Sequence, residues 1–150
     1  MTKLLTVNSG QIVEQDISVF SNADKIKVYR SQAFTAPSGF SVMPMDTVSF
    51  DTNGLWDSVK SVIRPKKEGY YLCSVKIRVQ STAVNMESCI YINNYIVEVG
   101  SLGTLTASFG SCLVYCNGTT DVISSGCYLA SSKAIWLGNE ATFMDVVGPL

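Results

Sequence analysis

The stretch YLCSVKIRVQ, Tyr71 to Gln80, decides how this chain folds. Tyr71, Cys73, Val75, Ile77 and Val79 are apolar, while Ser74, Lys76, Arg78 and Gln80 between them are polar. A period of two over such a run is that of a half-buried strand; a helix needs apolar residues three and four apart, and the run lacks them. Gly69, just before Tyr70, marks the turn that opens the strand. Upstream, SFDTNGLWDSVKSVIRPKKEG (Ser49–Gly69) holds a turn at Asp51–Gly54, a tryptophan at Trp56 and a basic loop at Arg64, Lys66 and Lys67. We read the loop as solvated rather than as a phosphate site.

The strand pattern continues downstream. NMESCIYINNYIVEVG predicts two short strands, with Asn93-Asn94 as a tight turn because Asn tolerates the left-handed backbone. In TLTASFGSCLVYC, Leu105, Ala107, Phe109, Ser111, Leu113 and Tyr115 alternate with Thr106, Ser108, Gly110, Cys112, Val114 and Cys116. Asn117-Gly118 is a strong hairpin signal, leading into a strand with Val122, Ile123, Cys127, Tyr128 and Leu129. ATFMDVVGPL predicts the last strand and ends on Pro149, which cannot donate to a ladder. Short strands punctuated by Ser, Thr, Gly and Asn belong to an all-β sandwich or barrel. The first 35 residues are more interrupted: they hold an early strand at Lys25–Arg30 or form an arm. APSGFS, residues 36–41, reads as a connector.

Composition excludes several functions. The chain has 150 residues, 47% of them hydrophobic and 15% charged, with a net charge of −1. One domain with a sizeable core follows, and no basic field invites nucleic acid. No apolar run reaches the ~20 residues of a membrane span. There is no histidine, which removes the commonest general base and zinc ligand. The apolar stretch in MTKLLTVNSGQ is too short for a signal peptide, so a cytosol with reduced thiols is expected. Cys112 and Cys116 lie ~13 Å apart along one strand face, too far to bond each other or to share a zinc. Most of the five cysteines read as small buried hydrophobes, the alternative being a reactive cysteine, for which no histidine is at hand as an activator. No cofactor or metal is expected. Asp51, Asn53 and Asp57 have the chemistry for calcium but not an EF-hand's spacing, and a solvated turn is preferred. A carboxylate-based glycosidase needs an acid pair about 5 Å apart, and scattered acids on turns do not suggest one.

Within 40–150, Asp51, Trp56, Gly69 and Tyr71 fall on the signature spacing of the complement C1q family, a relative of the tumour-necrosis-factor fold. Met45, Ile63, Cys73 and Val75 stand where that family has aromatics, and Thr142–Val147 resembles its closing strand. The chain resembles that family. The resemblance implies an antiparallel jelly-roll sandwich, C1q/TNF-like, assembling as a homotrimer. Asp51, Trp56, Gly69 and Tyr71 would be its framework. Tyr70 and Leu72, opposite the Tyr71 face, are candidates for the trimer interface, as are Tyr128 and Phe143. The alternative is that all four are ordinary core or rim residues.

The expected organisation is an N-terminal arm at 1–35 and the jelly roll at 36–150. By analogy with trimeric jelly rolls of bacteriophages, the expected role is that of a non-enzymatic virion structural protein: a capsid decoration, head fibre or tail receptor-binding head. It would be made in the host cytoplasm and held to other virion proteins by residues 1–35. A host surface glycan or protein is the expected ligand. The alternative is a cellular C1q-like binding module on a bacterial surface.

Overall fold

The computed structural model describes residues 3–8, 11–16, 22–100 and 103–150. Among these residues the strands follow in order: β1 Lys3–Asn8, β2 Gln11–Asp16, β3 Asp24–Tyr29, β4 Thr35–Ala36, β5 Gly39–Val42, β6 Thr47–Asp51, β7 Trp56–Asp57, β8 Val62–Ile63, β9 Glu68–Ile92, β10 Tyr95–Val99, β11 Gly103–Asn117, β12 Ile123–Leu129, β13 Lys133–Ala134 and β14 Phe143–Gly148. No helix occurs among the described residues. The fold is an all-β antiparallel jelly-roll sandwich.

The organiser is β9. Its first half pairs with β14 on one side and β11 on the other, and β3 and β6 extend the layer beyond β14. Its last residues, Met86–Ile92, pair with β12 and β10. β5 and the β7–β8 pair attach to β12 and complete the second layer. The alternation read from the sequence is the burial pattern observed: Tyr71, Cys73, Val75, Ile77 and Val79 are all fully buried. They meet Ile26, Val28, Met144 and Val146 from their own layer and Met86, Ile90, Ile123, Cys127 and Leu129 from the other in a single core. Each such apolar side chain contributes roughly 1.5–3 kcal/mol on burial.

The framework residues act locally. Asp51 accepts hydrogen bonds from the amides of Trp56 (2.9 Å) and Asn53 (3.2 Å), which closes the turn after β6. Trp56 packs half-buried against the core. Gly69 has φ +147°, and a Cβ there would lie 2.5 Å from Cβ of Pro149, so both backbone and neighbour demand glycine. Tyr71 is buried, and its hydroxyl donates to the Lys67 carbonyl at 2.9 Å. The basic loop is tied down by its own charges. Arg64 binds Asp57 at 2.8 Å, Lys66 donates to the Asn53 carbonyl at 2.8 Å, and Lys67 meets Asp24 at 2.9 Å.

Four expectations are corrected. The sandwich begins at β3, not at residue 36: the expected early strand sits between β14 and β6, inside the layer. Its alternating residues Ile26 and Val28 are buried as deeply as any in the chain, so a central place follows from its pattern. Of the supposed arm, β1 and β2 form a two-stranded sheet of their own, while residues 1–2, 9–10 and 17–21 lie outside those described. The 36–41 connector contains most of β5, which pairs with β12. The first of the two short strands in NMESCIYINNYIVEVG is the end of the long β9, although the Asn93-Asn94 turn forms, with φ of 52° and 70°. Finally, Asn117-Gly118 does not make a hairpin. The Asn117 side chain accepts from the amides of Thr119, Thr120 and Asp121, which widens the turn, and β12 crosses to the second layer.

Candidate functional site

The face of the first layer turned away from the core is built by the residues that alternate with the buried ones. Across β11, β9 and β14 they stand in rows set by the register. Tyr115 stands opposite Tyr70; Leu113, Leu72 and Val147 form the next row; Ser111, Ser74 and Asp145 the third; Phe109, Lys76 and Phe143 the fourth. The Tyr70 and Tyr115 rings meet edge to face at 5.5 Å. Exposure is 53% for Tyr70, 39% for Leu72, 52% for Phe109, 56% for Leu113 and 50% for Tyr115. Single exposed apolar residues are ordinary on a protein surface; a cluster of four, Tyr70, Tyr115, Leu72 and Leu113, with Phe109 beyond the serine row of the same face, is not.

The third and fourth rows are polar at their centre. Ser74 and Ser111 share a hydrogen bond at 3.1 Å. The Lys27 ammonium sits 4.3 Å over the Phe143 ring and Lys76 at 6.0 Å. Burial pushes the Asp145 carboxyl up, Lys27 draws it back down, and Glu140 adds to the rise.

A second uncovered surface is an edge. β10 pairs with β9 on one side, and among the described residues no strand takes its other side. Tyr95 is 78% exposed, and Ile96, Val97 and Val99 are exposed as well. The register shifts between Ile96 and Glu98, a bulge that leaves Val97 out of the ladder. β11 is likewise paired only with β9. The two edges lie side by side. The Gly100 amide, just past β10, donates to the Ser88 carbonyl at 2.7 Å, and a Cβ on Gly100 would stand 2.5 Å from the carbonyl oxygen of Phe109 in β11. The sandwich thus presents one apolar face and one apolar edge.

Of the four interface candidates, Tyr70, Leu72 and Phe143 share the uncovered face. Tyr128 lies elsewhere, on β12 in the second layer, with its ring 4.9 Å from that of Phe40. Sequence reasoning missed Phe109, Leu113 and Tyr115 as members of the face, and missed the β10 edge. The available signal was the small size of Ser108 and Gly110 on the alternate face of β11, where the strand lies closest to its neighbours. Both are buried, as are Val114 and Cys116.

Several acidic residues are engaged in local contacts. Asp57 binds Arg64 and the amides of Val59 and Lys60. Asp121 binds the Asn117 amide at 2.8 Å and the Asn93 side chain at 2.7 Å. Asp51, Asn53 and Asp57 make turn contacts rather than converge, and no group of three His, Cys, Asp or Glu that could hold a metal occurs among the described residues. Burial pushes the Cys89 thiol up to about 12 and those of Cys116 and Cys127 to about 11, and all three are fully buried, so none of them is placed to attack a substrate.

The chain matches no protein-family model and no curated protein sequence. Solved structures do match its fold. Murine APRIL, in a crystal structure at pH 8.5, aligns with a TM-score of 0.67 at 11% identity, over 85% of this chain and all of the other. The Eiger TNF of S. frugiperda aligns with a TM-score of 0.55 at 14% identity, over 85% of this chain and 92% of the other. At such identities the likeness is one of fold.

Proposed function

We propose that this chain is a non-enzymatic, homotrimeric jelly-roll head that holds and recognises rather than converts. The observation that carries the reading is the uncovered face of Tyr70, Leu72, Phe109, Leu113 and Tyr115. Hiding these half-exposed side chains stabilises an assembly by roughly 1 kcal/mol each, as much as the best exposed ion pair. The face and the β10 edge are different surfaces, so the face of one subunit meets the edge of the next. A head-to-tail contact of this kind closes into a ring when its rotation allows, and the C1q/TNF-like resemblance selects three.

In this reading the chain is a bacteriophage virion component, a capsid decoration, head fibre or tail receptor-binding head, made in the host cytoplasm. Residues within 1–35, including the paired strands β1 and β2, attach it to other virion proteins. The second layer, where the exposed Phe40 ring packs tilted against the half-buried Tyr128, faces a host surface glycan or protein. Five free cysteines support folding in a reducing cytosol.

The test is solution mass by light scattering. The wild-type chain is expected at the mass of three chains and Leu113→Glu at one, with an unchanged far-ultraviolet spectrum because Leu113 faces outward. A wild-type chain that stays monomeric at tens of micromolar removes the basis of the proposal. The setting is checked separately: a gene lying among capsid and tail genes supports the virion role, and one among genes for cell-surface proteins favours the bacterial surface module.

A further inference from the structure

Register brings two of the five free thiols together. β9 and β11 run antiparallel, and Cys73 is the direct partner of Cys112. Directly opposed residues point to the same face with Cα atoms about 4.5–5.5 Å apart, inside the roughly 4.4–6.8 Å that a disulfide spans. Both side chains lie on the core side. Cys73 is buried within the core, and Cys112 is half-buried against it. The negative form of Cys73 is disfavoured first by burial and then by Cys112 and Cys116, so the thiols sense each other. Other combinations fit less well. Cys116 stands opposite Gly69, further along the ladder from Cys73. Cys127 stands opposite Ser88 while Cys89 stands opposite Gly126, so alternation sends those two thiols to opposite faces.

We propose that Cys73 and Cys112 form a latent cross-strand disulfide, an oxidation site that clasps the edge strand β11 to β9 when the folded protein meets a small-molecule disulfide or a diazene oxidant. The proposal concerns contacts within one subunit and does not rest on the assembly proposed above.

Cys112 is the entry point. It is the more exposed of the two, and burial pushes its thiol only to about 11, while Cys73 is driven higher. Cys112 gives its proton to solvent, and its thiolate attacks one sulfur of the small disulfide. A mixed disulfide forms on Cys112 and one small thiolate leaves. Cys73 then loses its proton and its sulfur attacks Sγ of Cys112, expelling the second small thiolate. The two released thiolates take up the two protons. Two protein thiols are oxidised, and one small disulfide is reduced to two thiols.

The experiment treats folded wild-type protein with diamide, a diazene that takes up two hydrogens to become a hydrazine. The chain is then denatured, its remaining thiols are alkylated, and its peptides are mapped. Two of the five thiols are expected to disappear, with Cys73 and Cys112 joined in one linked peptide. The rate of loss should rise about tenfold per pH unit between neutrality and pH ~9, following the thiolate fraction. Cys112→Ser, at a half-buried position, should abolish the loss, and Cys116→Ala, which leaves no hydroxyl in the buried core, should leave it intact. Five thiols surviving prolonged oxidation, a linked peptide joining another pair, or cross-linking only between chains would each overturn the assignment.

Discussion

Asp46 shows how much one side chain can hold. Its carboxylate accepts from the Ser31 amide (2.8 Å), the Gln32 amide (3.0 Å) and the hydroxyls of Ser31 and Thr47 (both 2.9 Å), and it meets Arg30 at 2.9 Å. It ties the end of β3 to the start of β6. Burial alone would raise this carboxyl, but the hydrogen bonds from Ser31, Gln32 and Thr47 outweigh it and hold the group below the ordinary 3.8. A carboxyl lowered by folding adds stability that is present above its unfolded value and is lost as pH falls through its folded one. Asp46→Asn is therefore expected to cost roughly 2 kcal/mol in urea melts at neutral pH. The gap to wild type should shrink steadily below about pH 4. A gap that persists unchanged at the lowest pH at which both proteins fold would show the effect to be steric. Asp145 has the opposite sign: its carboxyl is raised by burial, so its contribution is present at low pH and lost as pH rises, and it cannot produce the same trend.

Among the elements, β11 is the most informative. Its two faces carry opposite assignments: Val114 and Cys116 join the core, while Phe109, Leu113 and Tyr115 face out. Neighbouring substitutions should therefore separate folding from assembly. Val114→Ala is expected to destabilise the subunit by roughly 1–3 kcal/mol, the cost of a truncated core side chain. Leu113→Ser should change subunit stability by about 0.5 kcal/mol or less while weakening the association seen in sedimentation. Equal effects of the two on both measurements would mean that the faces are not distinct. The same strand shows where alternation stops being informative. It identified Phe109, Leu113 and Tyr115 as sharing a side, but that side lies away from the core. Asn117-Gly118 signalled a turn correctly, yet the turn leads to another layer because the Asn117 side chain widens it.

At the scale of the whole molecule, an apolar face and an apolar edge left open make stability depend on concentration. If the native state is three chains and the unfolded state is one, mass action raises the melting temperature as protein is added. The wild-type midpoint is expected to climb over a hundredfold range of concentration, and that of Leu113→Glu to stay flat. A flat wild-type curve would speak for a self-sufficient monomer. The fold suits such an arrangement, since sheet edges left open invite pairing and are commonly covered by another chain or element.

Much of the architecture was legible in the sequence for a simple reason. Alternation is a property of the chain itself: successive side chains of a strand leave on opposite sides whatever the strand packs against. Tyr71–Val79 thus announced a buried face, and the turn closed by Asp51 and the tight approach at Gly69 are local features signalled by their own residues. Alternation identifies the two faces of a strand, but not which one the second layer will cover. It does not say that β3 joins the centre of a sheet, that β12 crosses layers, or that Cys73 stands opposite Cys112. Those are facts of pairing between distant segments. Only the packed tertiary structure settles them, because each strand's partner depends on which edges and faces the rest of the chain has already filled.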